Sequence, residues 1–349
     1  MAERTAKTPY EGETELAYLK RSTKLCRALA EDPSAAPVLT KRWNRVAIIS
    51  DGSGIPGMGD VGPISALPFV ESKSEVFRRL AGIEALPLVL ASGSADGIVR
   101  AAAMLSPSVG AINLEGISEG RCLEIRERLQ AQSDLPVFQD NLDAIPIVCL
   151  AALLNALRLV GKPIGEVTIV ISGTDLEATP MVEFLAEAGA SDIIVCDRAG
   201  AIHRGRPGPT SWVMESLAQR TNPRQLRGGP AKALAGADVF ISLSGPPVLD
   251  PGLLASMGPR AILLYLTDCA PEFFAQAGNP GNQALTATTC PALPNHLTNC
   301  LVFPGLLRGS LDAMARLINM PMKMAAALSL SGMIPEDVLG PELLIPQAL

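Results

Sequence analysis

The sequence predicts an α/β protein with two domains, the second built on a doubly wound parallel sheet. Its 349 residues exceed what one hydrophobic core usually holds. Short β-branched runs alternate with helical patterns, and each apolar run ends in a polar loop. The chain is 48% hydrophobic and 4% aromatic, which is typical of α/β proteins rich in Ala, Leu and Val and not of disordered ones.

The first domain, expected at residues 1–148, begins with a helix and continues with strands. A helical period runs through Leu16, Leu19, Leu25 and Leu29. A loop dense in glycine and proline follows the first strand, where the backbone can approach a ligand closely. The strands expected are VAIIS (46–50), LPLVLA (86–91), AINLEGI (111–117) and LPVFQD (135–140), with a helix through Ala101 to Met104.

The second domain, expected at 149–349, alternates strands and helices as a parallel sheet requires. The apolar stretch from Ile145 to Val160 is shorter than the ~20 residues of a membrane span, so we expect a buried helix. From Arg308 on, amphipathic helices are expected to pack back onto the protein. The strands expected are EVTIVISG (166–173), DIIVCD (192–197), ADVFISLSG (237–245) and AILLYLTD (261–268), with a helix through Val182 to Ala188.

Charge and cysteine usage limit the partners and the compartment. The net charge is -6 and no Lys/Arg tract occurs, which argues against nucleic acid or an anionic membrane surface and favours a small-molecule ligand. The N-terminal residues lack the apolar segment of a signal peptide. The 7 cysteines are scattered without a CxxC spacing, so we expect reduced thiols in the cytoplasm.

A series of short motifs, in order along essentially the whole chain, resembles the malic enzyme family in its short bacterial form. This resemblance implies a malic-type N-terminal domain, a Rossmann-like second domain and a homodimer. It also implies oxidation of malate at C2 by NAD or NADP, decarboxylation on a divalent metal, and protonation of the enolate to pyruvate. The motifs are NRVAIISDGSG, GMGDVGP, PFVESKSEVFRRLAGIEALPL, GAINLEGIS, LPVFQDN, ALLNALRLVGK, IIVCDRAG, GADVFISLSGP and PNHLTNCLVFPGLLRGSLDAMARLIN.

The acid and the base of this chemistry have matching residues. Lys73, in the segment ESK, matches the family lysine that takes the proton from the C2 hydroxyl. A lysine acts as a base only where burial or nearby cations lower its pKa. Tyr18 falls where the family has the tyrosine that protonates the enolate, although the residues after it differ from the family's Thr-Pro-Gly. The alternatives are a solvated lysine at a helix start and an ordinary packing tyrosine.

The metal site is expected to be degenerate. In the family, adjacent Glu and Asp after the INL strand, and an Asp after the PVF strand, supply oxygen ligands for Mg²⁺ or Mn²⁺. Here these positions are Glu115, Gly116 and Asn141, so two anionic charges are missing. Asp140 directly precedes the third position, and Asp143 is a further carboxylate that either compensates or is a surface charge. The remaining candidate ligands are Glu115, Asp140 and Asn141.

The dinucleotide loop is changed as well. Where the family has GxGxxG/A, this chain reads GTDLEA from Gly173 to Ala178, so that Asp175 replaces the second glycine. Asp175 and Glu177 then face the place of two phosphates, which like charges disfavour. Asp197, at the end of the next strand, is the candidate for the adenosine ribose and would favour NAD over NADP; a turn residue is the alternative.

Substrate positions are mixed. Asn299 matches the second asparagine of the family's PNQVNN segment, in which His296 replaces the glutamine. Asp268 stands where the family has an asparagine after the fifth strand. We expect Asn299 and Asp268 to contact a small carboxylic acid.

Three functions follow from these residues. The first is acid–base chemistry by Lys73 and Tyr18 on a small hydroxy- or oxo-acid, by decarboxylation, lyase action or enolisation, with the redox step weakened or lost and no cofactor needed. The second is a working NAD-dependent malic enzyme that uses NAD with Mg²⁺ or Mn²⁺. The third is a non-catalytic binding or regulatory homologue. The joint change of the cofactor and metal positions, with Lys73 retained, favours the first.

Overall fold

The computed structural model of the chain describes residues 15–208, 211–243, 251–267 and 285–347. These residues form two compact units. The first runs to Phe138 and also contains Leu307–Ile318, and the second comprises Gln139–Leu306 and the chain from Asn319. The predicted domains differ from these units, because they divide after residue 148 and give the whole C-terminal region to the second domain.

Contacts of Arg308 explain why the segment after Leu306 belongs to the first unit. The Arg308 guanidinium donates a hydrogen bond to Asn44 Oδ1 over 2.5 Å. The same guanidinium carbon lies 5.1 Å from the ring centroid of Trp43, a distance at which a cation and an aromatic face attract each other. Both partners precede the first strand, so the segment is held by side chains that a sequence pattern does not reveal.

The first unit contains a sheet in the order β2-β1-β3-β4. Strand β1 (Arg45–Ser50) pairs in parallel with β2 (Glu84–Val89) and β3 (Ala111–Leu114). Its sequence RVAIIS is buried at every residue after Arg45, as expected of a central strand covered on both faces. The other elements are α1 (Glu15–Glu31), α2 (Ala36–Leu39), α3 (Pro63–Ala81), α4 (Ala95–Leu105), α5 (Glu119–Gln132) and strand β4 (Val137–Gln139).

The second unit contains a sheet in the order β10-β9-β8-β5-β6-β7, in which the described strands pair in parallel except β6 with β7. Strand β5 lies between β8 and β6, so the strands that follow it in sequence lie on both sides of it in the sheet. Ligands of open α/β sheets bind at the carboxyl ends of strands at such a reversal. The strands are β5 (Thr168–Ser172), β6 (Asp192–Asp197), β7 (Gly200–Ala201), β8 (Val239–Ser242), β9 (Ile262–Tyr265) and β10 (Leu285–Thr288).

Helices cover this sheet, and the predicted buried helix is among them. Helix α6 is long and apolar enough to cross a membrane by length and composition, and 78% of its most apolar window is buried inside the protein. Helix α12 packs against it, and the buried Asn155 of α6 donates to the carbonyls of Ser331 and Leu344 over 3.0 and 2.9 Å. The helices are α6 (Asp140–Val160), α7 (Ala178–Glu187), α8 (Trp212–Arg220), α9 (Pro230–Leu234), α10 (Pro251–Leu254) and α12 (Met320–Gly332). Helix α11 (Phe303–Asp312) begins in the second unit and belongs to the first from Leu307 on.

The predicted α/β class with a doubly wound second sheet is confirmed, and each predicted strand overlaps an observed one. Strands β7 and β10 were not predicted. The first has only two residues, too few for an alternating pattern, and forms an antiparallel edge on β6. The second, LTAT, lacks the continuous apolar run that marks the other strands.

Candidate active site

Lys73 lies on the buried face of α3. Proline at the first position starts this helix, and Gly82, in the left-handed region at φ 60°, ends it. Lys73 follows Val70 by three residues and precedes Phe77 by four, and all three are buried. Helical spacing therefore carries Lys73 inward with its apolar neighbours. The alternative of a solvated lysine is wrong, because Lys73 is only 7% exposed.

The partner of Lys73 is Glu115. This glutamate follows β3 directly and is 8% exposed. The Lys73 Nζ donates to Glu115 Oε2, so that two buried charges form an ion pair at the carboxyl edge of the first sheet. Removing one member of such a pair strands the other charge in a poorly solvated place, which is strongly unfavourable. The structure thus brings together the predicted base and one predicted metal ligand.

Asp51 and Arg121 form a second ion pair at this edge, which the sequence prediction missed. Asp51 follows β1 and is 5% exposed. It accepts hydrogen bonds from the Ser53 amide (3.0 Å) and hydroxyl (2.6 Å) and pairs with Arg121 at the start of α5. Because β1 and β3 are adjacent and parallel, Asp51 and Glu115 follow neighbouring strand ends. An aspartate immediately after a buried strand, at the start of a glycine loop, was the available signal.

A side chain at position 116 would require Ile55 to move. Its φ is +60°, and a Cβ built there would lie 2.6 Å from Ile55 Cδ1 and 3.0 Å from Ser50 Oγ. The glycine loop also binds this residue through its backbone, since the Gly54 amide donates to the Gly116 carbonyl over 3.0 Å. The place of the family's second carboxylate is therefore filled by Ile55 and Ser50.

The second unit brings two other candidates together. Asp140 is the first residue of α6 and is 3% exposed, and the Asn299 side-chain amide donates to its Oδ2. Asn141 follows it and is half-buried. The predicted metal ligand Asp140 and the predicted substrate residue Asn299 are thus direct neighbours. Asp268 lies outside the described residues.

Asp143 does not compensate for the missing metal ligands. It is 0% exposed, which also contradicts the expectation of a surface charge. One oxygen accepts the Gln139 amide over 2.9 Å, and the other pairs with Lys323 Nζ over 2.5 Å. Asp143 therefore ends the first turn of α6 and ties it to α12. Its carboxylate is already neutralised.

The donors at the metal positions do not fit a divalent cation. In the first unit, Glu115 is paired with Lys73 and Gly116 is enclosed. In the second unit, Asp140 already accepts from the Asn299 side-chain amide, and Asn141 is neutral. Mg²⁺ and Mn²⁺ are hard cations that need oxygen ligands, and anionic ones for tight binding. Within the described ranges, no cluster of three or more His, Cys, Asp or Glu could hold a metal ion.

The frame of a dinucleotide loop is present at the end of β5. Gly173 has φ +129°, a region that side chains rarely adopt, and its amide donates to the Cys196 carbonyl over 2.9 Å. Ala178, at the start of α7, is fully buried, which permits close packing of the helix on the sheet. Asp175 is exposed in the loop between them. Gly173 and Ala178 therefore fit a nucleotide site, and the carboxylates of Asp175 and Glu177 in the same loop oppose it.

Asp197 at the end of β6 is a turn residue. Its Oδ1 accepts the amides of Ala199 (2.8 Å) and Gly200 (3.0 Å) and the Arg206 guanidinium (2.7 Å). Burial raises the pKa of Asp197, but these hydrogen bonds and the Arg206 charge outweigh it and hold the pKa below its usual value. The turn observed here leaves the predicted ribose contact as a prediction.

Tyr18 is not buried, in contrast to Lys73 and Glu115. It is 39% exposed on α1, beside the exposed Leu16 and Leu19. Its assignment as an acid stays a prediction.

The described cysteines are free, and burial raises the pKa of Cys149 and Cys196, which keeps both thiols unreactive.

A parallel sheet with a loop for a dinucleotide and a second α/β unit with a buried lysine define a class of two-domain α/β proteins with a Rossmann-like domain. The malic enzyme N-terminal domain family matches residues 23–130. The NAD-dependent malic enzyme of Geobacillus stearothermophilus is 37% identical over 99% of this chain and 72% of its own length. The chain belongs to the malic enzyme family.

Two further relatives extend this result. The bifunctional malic/malolactic enzyme of Bacillus subtilis is 34% identical over 95% of this chain and 81% of its own length. The crystal structure of the NAD-dependent malic enzyme from Thermotoga maritima has a TM-score of 0.88 and 34% identity, over 97% of this chain and 90% of the other. The fold is therefore that of a malic enzyme in both units.

Proposed function

We propose that the chain catalyses the oxidative decarboxylation of malate, or of a closely related hydroxy acid, with NAD as the hydride acceptor. Relatives called NAD-dependent and NADP-dependent malic enzymes match 99% and 93% of the chain, and they support this reaction better than the redox-free one. The observation that carries the proposal is the buried ion pair of Lys73 and Glu115 at the carboxyl edge of the first sheet.

Lys73 is the proposed base. Once the ammonium proton has passed to its hydrogen-bond partner Glu115 Oε2, the neutral Nζ accepts the proton of the C2 hydroxyl while the C2 hydride passes to the hydride acceptor, which gives a 2-oxo acid. The C3–C4 bond then breaks, carbon dioxide leaves, and an enolate is left. The protonated Lys73 donates a hydrogen bond to the enolate oxygen, where negative charge develops. A proton delivered to C3, with Tyr18 as the candidate donor, gives pyruvate. The proton that Lys73 took up then returns through solvent to the tyrosinate, which balances the protons of the cycle.

Glu115 is the proposed positioning residue for Lys73. An ammonium group on a four-carbon stem has many conformations, and a buried carboxylate restricts them to one. NAD would supply the hydride acceptor when bound, beside the Gly173 backbone and Ala178, with Asp197 toward the ribose. Asp175 weakens this binding by its charge. No step passes through a divalent cation, because the donors at that position do not fit one.

A redox-free reaction is the second candidate. It is favoured by one observation, the Asp175 and Glu177 carboxylates in the loop where a pyrophosphate would lie. Lys73 would then perform decarboxylation, lyase chemistry or enolisation on a 2-oxo or hydroxy acid without a hydride acceptor.

We also propose a homodimer in the cytoplasm, and light scattering on the purified protein tests the dimer.

The test follows malate turnover by the absorbance of reduced nicotinamide, with NAD or NADP, for the wild type, Lys73→Arg and the control Lys41→Arg. Lys41 is exposed, and both arginines keep their charge. We expect turnover with NAD, its loss in Lys73→Arg, and none of that loss in the control.

Asp175→Gly is expected to strengthen NAD binding, which is measured as thermal stabilisation of the protein by NAD. The affinity should rise by about tenfold for each 1.4 kcal/mol of repulsion removed.

Other outcomes select among the alternatives. Carbon dioxide release from oxo acids, or deuterium uptake from solvent, that needs Lys73 but no nucleotide would support the redox-free reaction. Absence of any turnover, with nucleotide or without, would contradict both and favour a non-catalytic binding or regulatory homologue.

A further inference from the structure

Residue 116 is enclosed by both backbone and side chains. The Gly54 amide and the Ser50 hydroxyl donate to the Gly116 carbonyl over 3.0 and 3.4 Å. The Ser118 amide donates back to Ser53 Oγ over 2.9 Å. Two segments of the first unit, the glycine loop and the residues after β3, are therefore hydrogen-bonded to each other on both sides of Gly116.

Ile55 fills the space on the side-chain face of Gly116. It is 6% exposed, and its amide and carbonyl bond to Gly59 over 2.9 and 2.8 Å, which fixes the loop that carries it. Its Cδ1 lies 2.6 Å from the point where a Cβ on residue 116 would be. A carboxylate at 116 would need this methyl group to move, while the positive φ is one that Asp tolerates better than most residues.

Glu115 already has a positive partner at this edge. It carries one negative charge and Lys73 one positive charge, and both are buried. A divalent cation beside them would approach the Lys73 ammonium as well as the carboxylate that this ammonium already offsets. Neighbouring Asp51 is also paired, with Arg121. Coulombic repulsion in a poorly solvated site would therefore oppose the cation.

We propose that the Lys73 ammonium group is the counter-charge of Glu115 in place of a divalent cation, and that Ile55 closes the position of the missing carboxylate. The reaction would then run without Mg²⁺ or Mn²⁺. The cation-independence of turnover rests on the proposed function, whereas the statement about cation binding does not.

Binding of Mn²⁺ tests the inference directly. The free-ion signal of Mn²⁺ in electron paramagnetic resonance is followed during titration of the whole protein, with malate present and absent. We expect no saturable loss of signal below millimolar Mn²⁺ for the wild type. A stoichiometric site at micromolar Mn²⁺ that Glu115→Gln abolishes would overturn the inference.

Variants that restore the missing carboxylate at position 116 provide the complementary test. The double variant Ile55→Val, Gly116→Asp removes the obstructing methyl group and restores the carboxylate beside Glu115. We expect it to bind Mn²⁺ at least tenfold more tightly than the single variant Gly116→Asp, which keeps Ile55. Equal affinities would show that Ile55 does not close the site. The wild-type titration decides the main point even where a variant fails to fold.

Turnover in the presence of a chelator separates this inference from the proposed function. Wild-type turnover that is unchanged by excess EDTA supports both. Turnover that EDTA abolishes and Mn²⁺ restores supports the function and overturns the inference. Absence of turnover together with absence of Mn²⁺ binding overturns the function and leaves the cation-binding statement supported.

Discussion

Each compact unit contains a buried carboxylate that is paired with a lysine, and the two pairs differ in their positions. Asp143 is fully buried in the first turn of α6, and its carboxylate serves both Lys323 and the Gln139 amide. Glu115 follows a strand at the carboxyl edge of a parallel sheet and pairs with Lys73. A buried carboxylate partner alone therefore does not distinguish the two lysines. The feature that supports Lys73 as the proposed base is its place at a sheet edge, where ligands of such folds bind.

The largest expected effect separates the two lysines by activity. Lys73→Arg keeps a positive charge opposite Glu115, but a guanidinium cannot give up its proton to act as a base. Loss of a general base typically lowers turnover by about 10² to 10⁴-fold. Lys323→Arg keeps the pair with Asp143 and is expected to leave turnover unchanged. Steady-state rates of the two variants, beside the wild type, measure the difference. Equal losses in both would mean that Lys73 has only a structural role.

Stability gives the next effect. Lys323→Met leaves the Asp143 charge buried without its partner, and breaking such a pair costs about 3–5 kcal/mol of unfolding free energy. Adding Asp143→Asn removes the charge and keeps an acceptor for the Gln139 amide, so most of the loss should be recovered. Urea unfolding of the single and double variants measures this recovery. A double variant as unstable as the single one would contradict the stranded-charge explanation.

The sequence predicted the strands and helices better than it predicted the contacts between side chains. Apolar runs bounded by turns located the strands, and the buried face of α3 follows from the spacing of Val70, Lys73 and Phe77. The pairing of Lys73 with Glu115 joins residues 42 apart, and no local pattern specifies which carboxylate a buried lysine meets. Their common sheet edge follows only once strand order is known.

Two other features of the site lay beyond a one-dimensional pattern. From the sequence, replacement of the family's aspartate by Gly116 suggests unoccupied space beside Glu115. In the structure, Ile55 and Ser50 fill that space. Asp143 looked like a surface charge because it stands in a polar segment, yet Lys323, far along the chain, covers it. Both depend on packing between segments that are distant in sequence.

A smaller loss of stability is expected at Gly116. Gly116→Ala places a methyl group 2.6 Å from Ile55 Cδ1, and overpacking of this kind costs about 1–3 kcal/mol. Ile55→Val removes that terminal methyl group, so the double variant should recover part of the loss. The control is Gly82→Ala at the end of α3, where φ is also +60° but a Cβ meets nothing within 4 Å. That control should show only the cost of the positive φ. Similar losses at both glycines would contradict the enclosure of residue 116.

The smallest effect is expected from the partly exposed pair of Asp197 and Arg206, which solvent screens. Because the folded-state pKa of Asp197 lies below its usual value, the stabilisation is complete above the unfolded pKa of about 3.9 and disappears as pH falls through the folded pKa. The urea midpoint of the wild type should therefore exceed that of Asp197→Asn by a constant amount at neutral pH, and the difference should shrink in acid. The exposed Asp337→Asn serves as the control and should show no such trend. A difference that grows as pH falls would reverse the sign and would mean that Asp197 is destabilised by burial more than it is stabilised by Arg206.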